Sequence, residues 1–250
     1  MSEPVIGLVP AAGKGVRLGL PYPKELYPVI RQNQYRPIAQ FVVDSLVVSG
    51  VNDVVFVINE TKHQLIGYFG DGHRFGCNMA YVVQEHAGRT DASTSPGLAH
   101  ALDAGYHVVR NRIVFFGMAD TIVEPQDVFA RAWRNRGGDA DVLLILFPTA
   151  TPHKFGMVRS DGRGRVVAIH DKPARTTLTH MWGCIIWRPV FTEHLHRSVQ
   201  DCGHADFAQI LNSAIASGLR VYGYIVNDGS YADLGTYDEI RDLDTRLRRA

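Results

Sequence analysis

Cysteine is scarce in this 250-residue chain: Cys77, Cys184 and Cys202 are widely separated and odd in number. No pair has the spacing of a metal site or a redox motif, so free thiols in a reducing cytoplasm are expected. Charge imbalance is missing too, with 26 Lys and Arg against 25 Asp and Glu, a formal net charge of +1. That balance gives no global pull toward nucleic acid or an anionic membrane, although a local basic site is compatible with it. No apolar run approaches the roughly 20 residues of a membrane span. The stretch from Met1 to Gly13 lacks the charged n-region and long apolar h-region of a secretory leader, so none is expected. Low-complexity segments, charge blocks and internal repeats are absent as well. Neither nucleic acid nor a membrane is an expected partner, and self-association into a homo-oligomer stays open.

What the chain does have is 46% apolar residues in short periodic segments, enough at this length for a substantial core. Residues 5–9, 54–58, 81–84, 113–116 and 142–147 read as short buried strands. Helical spacing over 37–49 stops at Gly50. Thr61 and Gln64 have capping-box spacing, Ser95-Pro96 stands before a helix over 97–109, and 126–136 reads as another helix. Short apolar strands alternating with helices predict an α/β fold: a Rossmann-like, mixed but mostly parallel sheet with helices on both faces. After about residue 150 the rhythm changes. Segments 157–160 and 165–169 flank an Asp-Gly-Arg-Gly turn, a hairpin signal. A strand over 181–187, a helix over 205–217, a strand over 220–226 and a last helix capped by Thr236 and Glu239 follow. The second part reads as an α+β extension packed on the sheet, and no linker composition separates the halves of one domain.

The turn after the first strand is poor in side chains and rich in cations: Pro10, Ala11, Ala12, Gly13, Lys14, Gly15, then Arg17 and Lys24. A dinucleotide fingerprint fails at the third glycine, and a P-loop fails because Gly15 follows Lys14. What remains is a small-residue turn that lets a ligand approach the backbone, with N–H groups for phosphate oxygens and two added cations. A tight turn with solvated basic residues is the competing reading, and spacing alone does not separate the two.

The longer pattern does. Gly-x-Gly-x-Arg-Leu, then Pro23-Lys24 and Leu26, Pro28, Val29, resembles the signature of sugar-1-phosphate nucleotidyltransferases. The resemblance implies that Arg17 and Lys24 contact the triphosphate and that the backbone of Pro10–Gly13, with Gly15, wraps the nucleotide. Gly97-Leu98-Ala99-His100-Ala101 resembles the family's base-lining segment, with Gln84 at the position of a base-contacting glutamine. The link between them, residues 85–96, is longer and more polar than usual; it reads as a surface loop, with a mobile flap as the alternative. Asp120 ends the fourth strand of the pattern, where the family has a Mg²⁺-binding aspartate after glycine; here Ala119 precedes it. Phe155-Gly156-Met157-Val158 and Asp171-Lys172-Pro173 resemble the sugar-phosphate segments, giving Lys172 the phosphate and Asp171 and Gly156 the sugar hydroxyls. Trp182-Gly183 stands at a small-residue pair, and the tryptophan reads equally as core or as a stacking surface for substrate. Tyr231-Ala232-Asp233-Leu234-Gly235-Thr236 resembles the segment whose aspartate is the second metal ligand.

Two departures accompany these matches. Asp171 is one methylene shorter than the family's glutamate, and an acidic helix pattern is reduced to the stretch from His204 to Asn212. The resemblance implies a nucleotidyltransferase (GT-A-like) fold in a short form without the C-terminal β-helix of some members. It implies Mg²⁺ as cofactor and an NTP and a sugar 1-phosphate as substrates. The Pro-Ala-Ala-Gly loop looks closer to uridylyl and cytidylyl variants, so a pyrimidine nucleotide is expected. Two alternatives remain open: a cytidylyltransferase acting on a polyol or choline phosphate, and a non-catalytic nucleotide-sugar-binding homologue. A glycosyltransferase of related architecture would need Asp-x-Asp after a strand, which the stretch from Gly117 to Thr121 does not supply.

Overall fold

The apolar runs alternate between two cores. Ile6 and Leu8 belong to one buried cluster and Val9 to the other; Val55 and Val57 oppose Val54, Phe56 and Ile58; Val114 and Phe116 oppose Ile113 and Phe115. Side chains of successive strand residues point to opposite faces, so a strand covered on both sides must be apolar throughout. That is why these segments lack a polar stripe.

A computed structural model describes residues 3–15, 18–31, 34–84, 97–136, 139–202, 206–237 and 239–241. The first half of the chain forms β1 (Val5–Pro10), β2 (Pro28–Arg31), β3 (Gln34–Pro37), α1 (Ile38–Val48), β4 (Asp53–Ile58), α2 (His63–Phe69), β5 (Asn78–Val83), α3 (Leu98–Ala104), α4 (Tyr106–Val109) and β6 (Ile113–Phe116). There follow β7 (Thr121–Glu124), α5 (Val128–Arg134), β8 (Val142–Pro148), β9 (Gly156–Ser160), β10 (Val166–Asp171) and β11 (His180–Trp187). The chain continues through α6 (Pro189–Cys202), α7 (Phe207–Ala216), β12 (Val221–Ile225) and β13 (Ser230–Asp233).

The main sheet has the order β10-β9-β11-β6-β1-β4-β5, with β8 and β12 joined on through β11. β5, β4, β1 and β6 are mutually parallel, β12 is parallel to β8, and β11 runs antiparallel to both β6 and β8. Helices α3, α6 and α7 cover one face and α1, α2 and α5 the other. The mixed, mostly parallel sheet with helices on both faces is therefore as expected. One sheet runs through both parts of the chain. No helix among the described residues is long and apolar enough to cross a membrane.

Several local expectations change. The Thr61–Gln64 capping box does not form: Asn59 Oδ1 takes both the Thr61 N–H (2.9 Å) and the Thr61 hydroxyl (2.7 Å), and α2 starts behind Lys62 with no side-chain cap. The helix over 97–109 divides at Gly105, where a Cβ would stand 3.1 Å from Leu8 Cδ1. Ser95, Pro96, the 85–96 loop and the start of the helix over 205–217 lie outside the described residues. At the last helix, the Glu239 N–H donates to Thr236 Oγ1 at 3.3 Å, as capping requires. The short ribbons β2–β3 and β7–β13 and the helix α6 had no clear sequence signal. In α6 the buried apolar stripe is Phe191, Leu195 and Val199, with the buried Thr192 beside it and polar residues around them.

Candidate active site

The strand order creates the site. From β1 the chain builds β4 and β5 on one side, then crosses back to place β6 on the other. Open α/β sheets bind ligands beyond the carboxyl ends of the strands at such a reversal. Here the two strand ends are Pro10 of β1 and Phe116 of β6, and the segments leaving them carry Ala11–Gly15 and Asp120.

The turn after β1 is fixed from behind. Ala11 donates its N–H to Val57 O at 2.7 Å, and the buried Asn59 side chain donates to Ala12 O at 2.8 Å. Ala11 and Ala12 are buried while Gly13 is exposed, and Gly15 sits in the left-handed region at φ 65°, which glycine adopts without strain. Arg17 lies outside the described residues. Lys24 begins a single 3₁₀ turn, and its ammonium is bonded to Asp120 Oδ2. Burial pulls the Lys24 pKa down, but Asp120, by charge and hydrogen bond, with Glu25 and Asp233, outweighs it and raises the value. Lys24 therefore stays charged.

Asp233 reaches the same place along the β7–β13 ribbon. It pairs with Thr121, the residue after Asp120, and the Leu234 N–H donates to the Asp120 carbonyl at 3.1 Å. A small apolar cluster of Leu18, Val29, Ile38, Phe41, Ile122, Leu234 and Ile240 ties this ribbon to the first loop and to α1. Tyr231 is pushed well above its ordinary pKa by burial and then by the Asp233 and Asp120 charges, so its phenol stays protonated. Its ring covers Gly183: a Cβ there would lie 2.6 Å from Tyr231 Cδ2 and 2.8 Å from Phe147 Cδ2.

Among the described residues no group of three or more His, Cys, Asp or Glu forms a metal cage. Mg²⁺ is commonly held by one or two carboxylates plus substrate phosphates. The Asp120 and Asp233 pair, already carrying the Lys24 cation, is a donor set of that kind.

The second half of the site overhangs the first. β11 runs antiparallel to β6, so its N-terminal half extends past the carboxyl end of β6, and there Met181 pairs with Met157 of β9. The β9–β10 hairpin sets Asp171 opposite Gly156 and lets Lys172 donate its N–H to Phe155 O at 3.0 Å. Lys172 has φ 42°, an uncommon conformation for a residue with a Cβ and one that concentrates at functional positions. Its ammonium lies 3.6 Å from Asp171 Oδ2 and is exposed. The Phe155 ring meets Tyr231 edge-on with centroids 5.8 Å apart, which joins the hairpin to the Asp233 ribbon.

Trp182 packs against Phe116 and Phe207, and a Cβ on Gly156 would come within 2.3 Å of its Nε1. The ring is half-buried. Gln84 follows β5 and donates its N–H to Ile58 O at 2.8 Å; Gly97 caps α3, which lies against β1 and β4. Both stand at the carboxyl side of the parallel strands.

Three residues of this region carry no sequence expectation: Asn59, Glu25 and Lys62. Glu25 and Lys62 are 2% and 3% exposed and form an ion pair at 2.5 Å. Glutamate and lysine in a polar loop look like solvated surface, and only the position of Lys62 after a buried strand hinted otherwise.

Comparison with known proteins gives the family and the fold. The nucleotidyl transferase family profile matches residues 6–249, and the chain belongs to that family. It is 26% identical to glucose-1-phosphate thymidylyltransferase of Streptomyces antibioticus, over 96% of this chain and 67% of that protein. It is 23% identical to the UTP–glucose-1-phosphate uridylyltransferase of Synechocystis sp., over 91% of this chain and 59% of that protein. The fold matches an apo UDP-glucose pyrophosphorylase crystal structure at a TM-score of 0.80 and 19% identity, covering 98% of each chain.

Proposed function

We propose that the protein joins an NTP, with a pyrimidine base favoured, to a sugar 1-phosphate, giving an NDP-sugar and pyrophosphate. The observation that carries this reading is the Lys24–Asp120 contact with Asp233 in register beside it, at the sheet's point of strand reversal. A sugar-phosphate oxygen attacks the α-phosphorus in line; the new P–O bond forms as the bond to pyrophosphate breaks, and the electron pair leaves on pyrophosphate. That oxygen is already anionic, so no general base is needed, and rate comes from positioning and charge stabilisation.

Asp120 and Asp233 are suited to hold Mg²⁺, which when bound would neutralise charge on the nucleotide and sugar phosphates. Lys24 and Arg17 hold the triphosphate. Pro10–Gly13, Gly15, Gln84 and Gly97 border the base and ribose. Lys172 places the nucleophilic phosphate, and Asp171 and Gly156 face the sugar hydroxyls. Phe155, Trp182 and Gly183 shape the acceptor side, Gly183 by admitting Tyr231 next to Asp233. An Asp171 carboxylate, shorter than glutamate, favours an acceptor that sits closer to β10 than a glutamate would allow.

A panel of NTPs and sugar 1-phosphates with Mg²⁺, assayed for pyrophosphate, tests the reading. Pyrophosphate from UTP, dTTP or CTP with at least one sugar 1-phosphate is expected. Release only from a purine nucleotide would overturn the base preference. Release only with a polyol or choline phosphate would overturn the sugar.

A further inference from the structure

The turn after β1 and the loop after β4 face each other across a cleft of about 330 Å³. Its walls include Lys14, Tyr22 and Lys24 on one side and Thr61, Lys62, His63 and Gln64 on the other, with three lysines and no carboxylate among the described residues. Lys24 connects the cleft to Asp120. The acidic groups lie behind the walls rather than in them, Asp120 behind Lys24 and Glu25 behind Lys62.

The Glu25–Lys62 pair is expensive as a structural device. Both residues are almost wholly buried, and Glu25 Oε2 is buried with no hydrogen-bond partner among the described residues. A buried pair with an unsatisfied oxygen is seldom better for stability than apolar residues of the same size. Burial holds the Lys62 pKa below the ordinary lysine value, and the Glu25 carboxylate opposes that shift by charge and hydrogen bond. Lys62 is also close enough for Lys24 and Asp120 to act on it electrostatically, which places it beside the reacting end of the site. The loop cannot swing away freely, because Asn59 clamps it to Ala12 O at 2.8 Å and to Thr61.

We infer that the loop from Thr61 to Gln64 is the far wall of a pyrophosphate-binding cleft, with Lys62 as the cation that contacts the departing phosphates. The inference rests on the nucleotidyl-transfer reading and extends it, giving the leaving group its own recognition element apart from the loop after β1. An anion between Lys62 and Lys24 makes charge-assisted hydrogen bonds to both and gives Lys62 a second counter-charge besides Glu25.

The test is calorimetric binding of inorganic pyrophosphate and of UMP, to the wild-type protein and to K62R, K62M and E25Q/K62Q. The double variant removes both charges together, so no buried charge is left alone if K62M fails to fold. Pyrophosphate binding is expected to weaken at least tenfold in K62M and in E25Q/K62Q and to survive in K62R, with UMP binding unchanged in all. Wild-type pyrophosphate affinity in a folded E25Q/K62Q would overturn the inference, because Lys62 would then serve only Glu25. Equal loss of UMP and pyrophosphate would overturn it as well, since the effect would be general. A wild-type protein that binds neither pyrophosphate nor any NTP would sink the nucleotidyl-transfer reading too, whereas normal wild-type binding with indifferent variants sinks this inference alone.

Discussion

Asp120 and Asp233 are separated by more than a hundred residues, yet backbone pairing sets them side by side. The Leu234 N–H on the Asp120 carbonyl does this, not any attraction between two carboxylates, which would repel. Lys24 offsets that repulsion in the free protein. Replacing either aspartate by asparagine keeps the shape and removes a charge. D120N and D233N should therefore stay folded, with thermal midpoints near wild type, while pyrophosphate release falls at least a thousandfold. Release within threefold of wild type by either would remove it from the catalytic centre. These two residues stood out in the sequence only as part of an ordered set of motifs, since an aspartate after a strand is ordinarily a turn residue. The Glu25–Lys62 pair was not legible, because burial of a charge depends on partners distant in sequence.

At the scale of elements, the hairpin β9–β10 is the piece whose position most depends on neighbours. β10 is an outer strand of the sheet, and an open strand edge is prone to fray. Asn212 of α7 counters this, accepting the Ile169 N–H at 2.9 Å and donating to the Ile169 carbonyl at 2.8 Å. Two residues beyond Ile169 stands Asp171, followed by Lys172. N212A should cost about 1–2 kcal/mol of stability by leaving backbone groups unpaired. It should also raise the KM for sugar 1-phosphate severalfold with nucleotide affinity unchanged. Steady-state kinetics with each substrate varied separates these effects, and a rise confined to the nucleotide KM would contradict the assignment of this hairpin to the acceptor. The hairpin itself was readable from its Asp-Gly-Arg-Gly turn. The ribbon β7–β13 was not, because four-residue strands that pair only with each other, outside the main sheet, leave too little periodicity.

For the whole molecule, the continuity of the sheet from β5 to β12 is what joins the two halves of the candidate site. The far end of that sheet is pinned by Asp141, whose carboxylate accepts the Arg220 N–H at 2.9 Å and two guanidinium bonds at 2.9 and 3.1 Å. Hydrogen bonding to Arg220 holds the Asp141 pKa below the ordinary aspartate range despite partial burial. A carboxyl with a depressed folded pKa stabilises the fold above its unfolded value, near pH 4, and loses that contribution as pH falls through the folded value. Thermal midpoints of D141N should therefore lie below wild type at pH 7 and converge on it toward pH 2. A constant gap across that range would refute the linkage. Fold class followed from strand and helix rhythm because buried parallel strands announce themselves by unbroken apolar runs. The order of strands did not follow, since the return of β6 to the other side of β1 is set by packing between distant segments.

That reversal is where nucleotide and acceptor are held to meet, and phosphorus NMR of one reaction mixture examines the claim directly. With the wild-type protein, Mg²⁺, a pyrimidine NTP and a sugar 1-phosphate, the β and γ signals of the NTP should give way to free pyrophosphate, with the paired resonances of an NDP-sugar in equal amount. An unchanged spectrum across all pairs, or NDP and orthophosphate in place of pyrophosphate, would contradict nucleotidyl transfer.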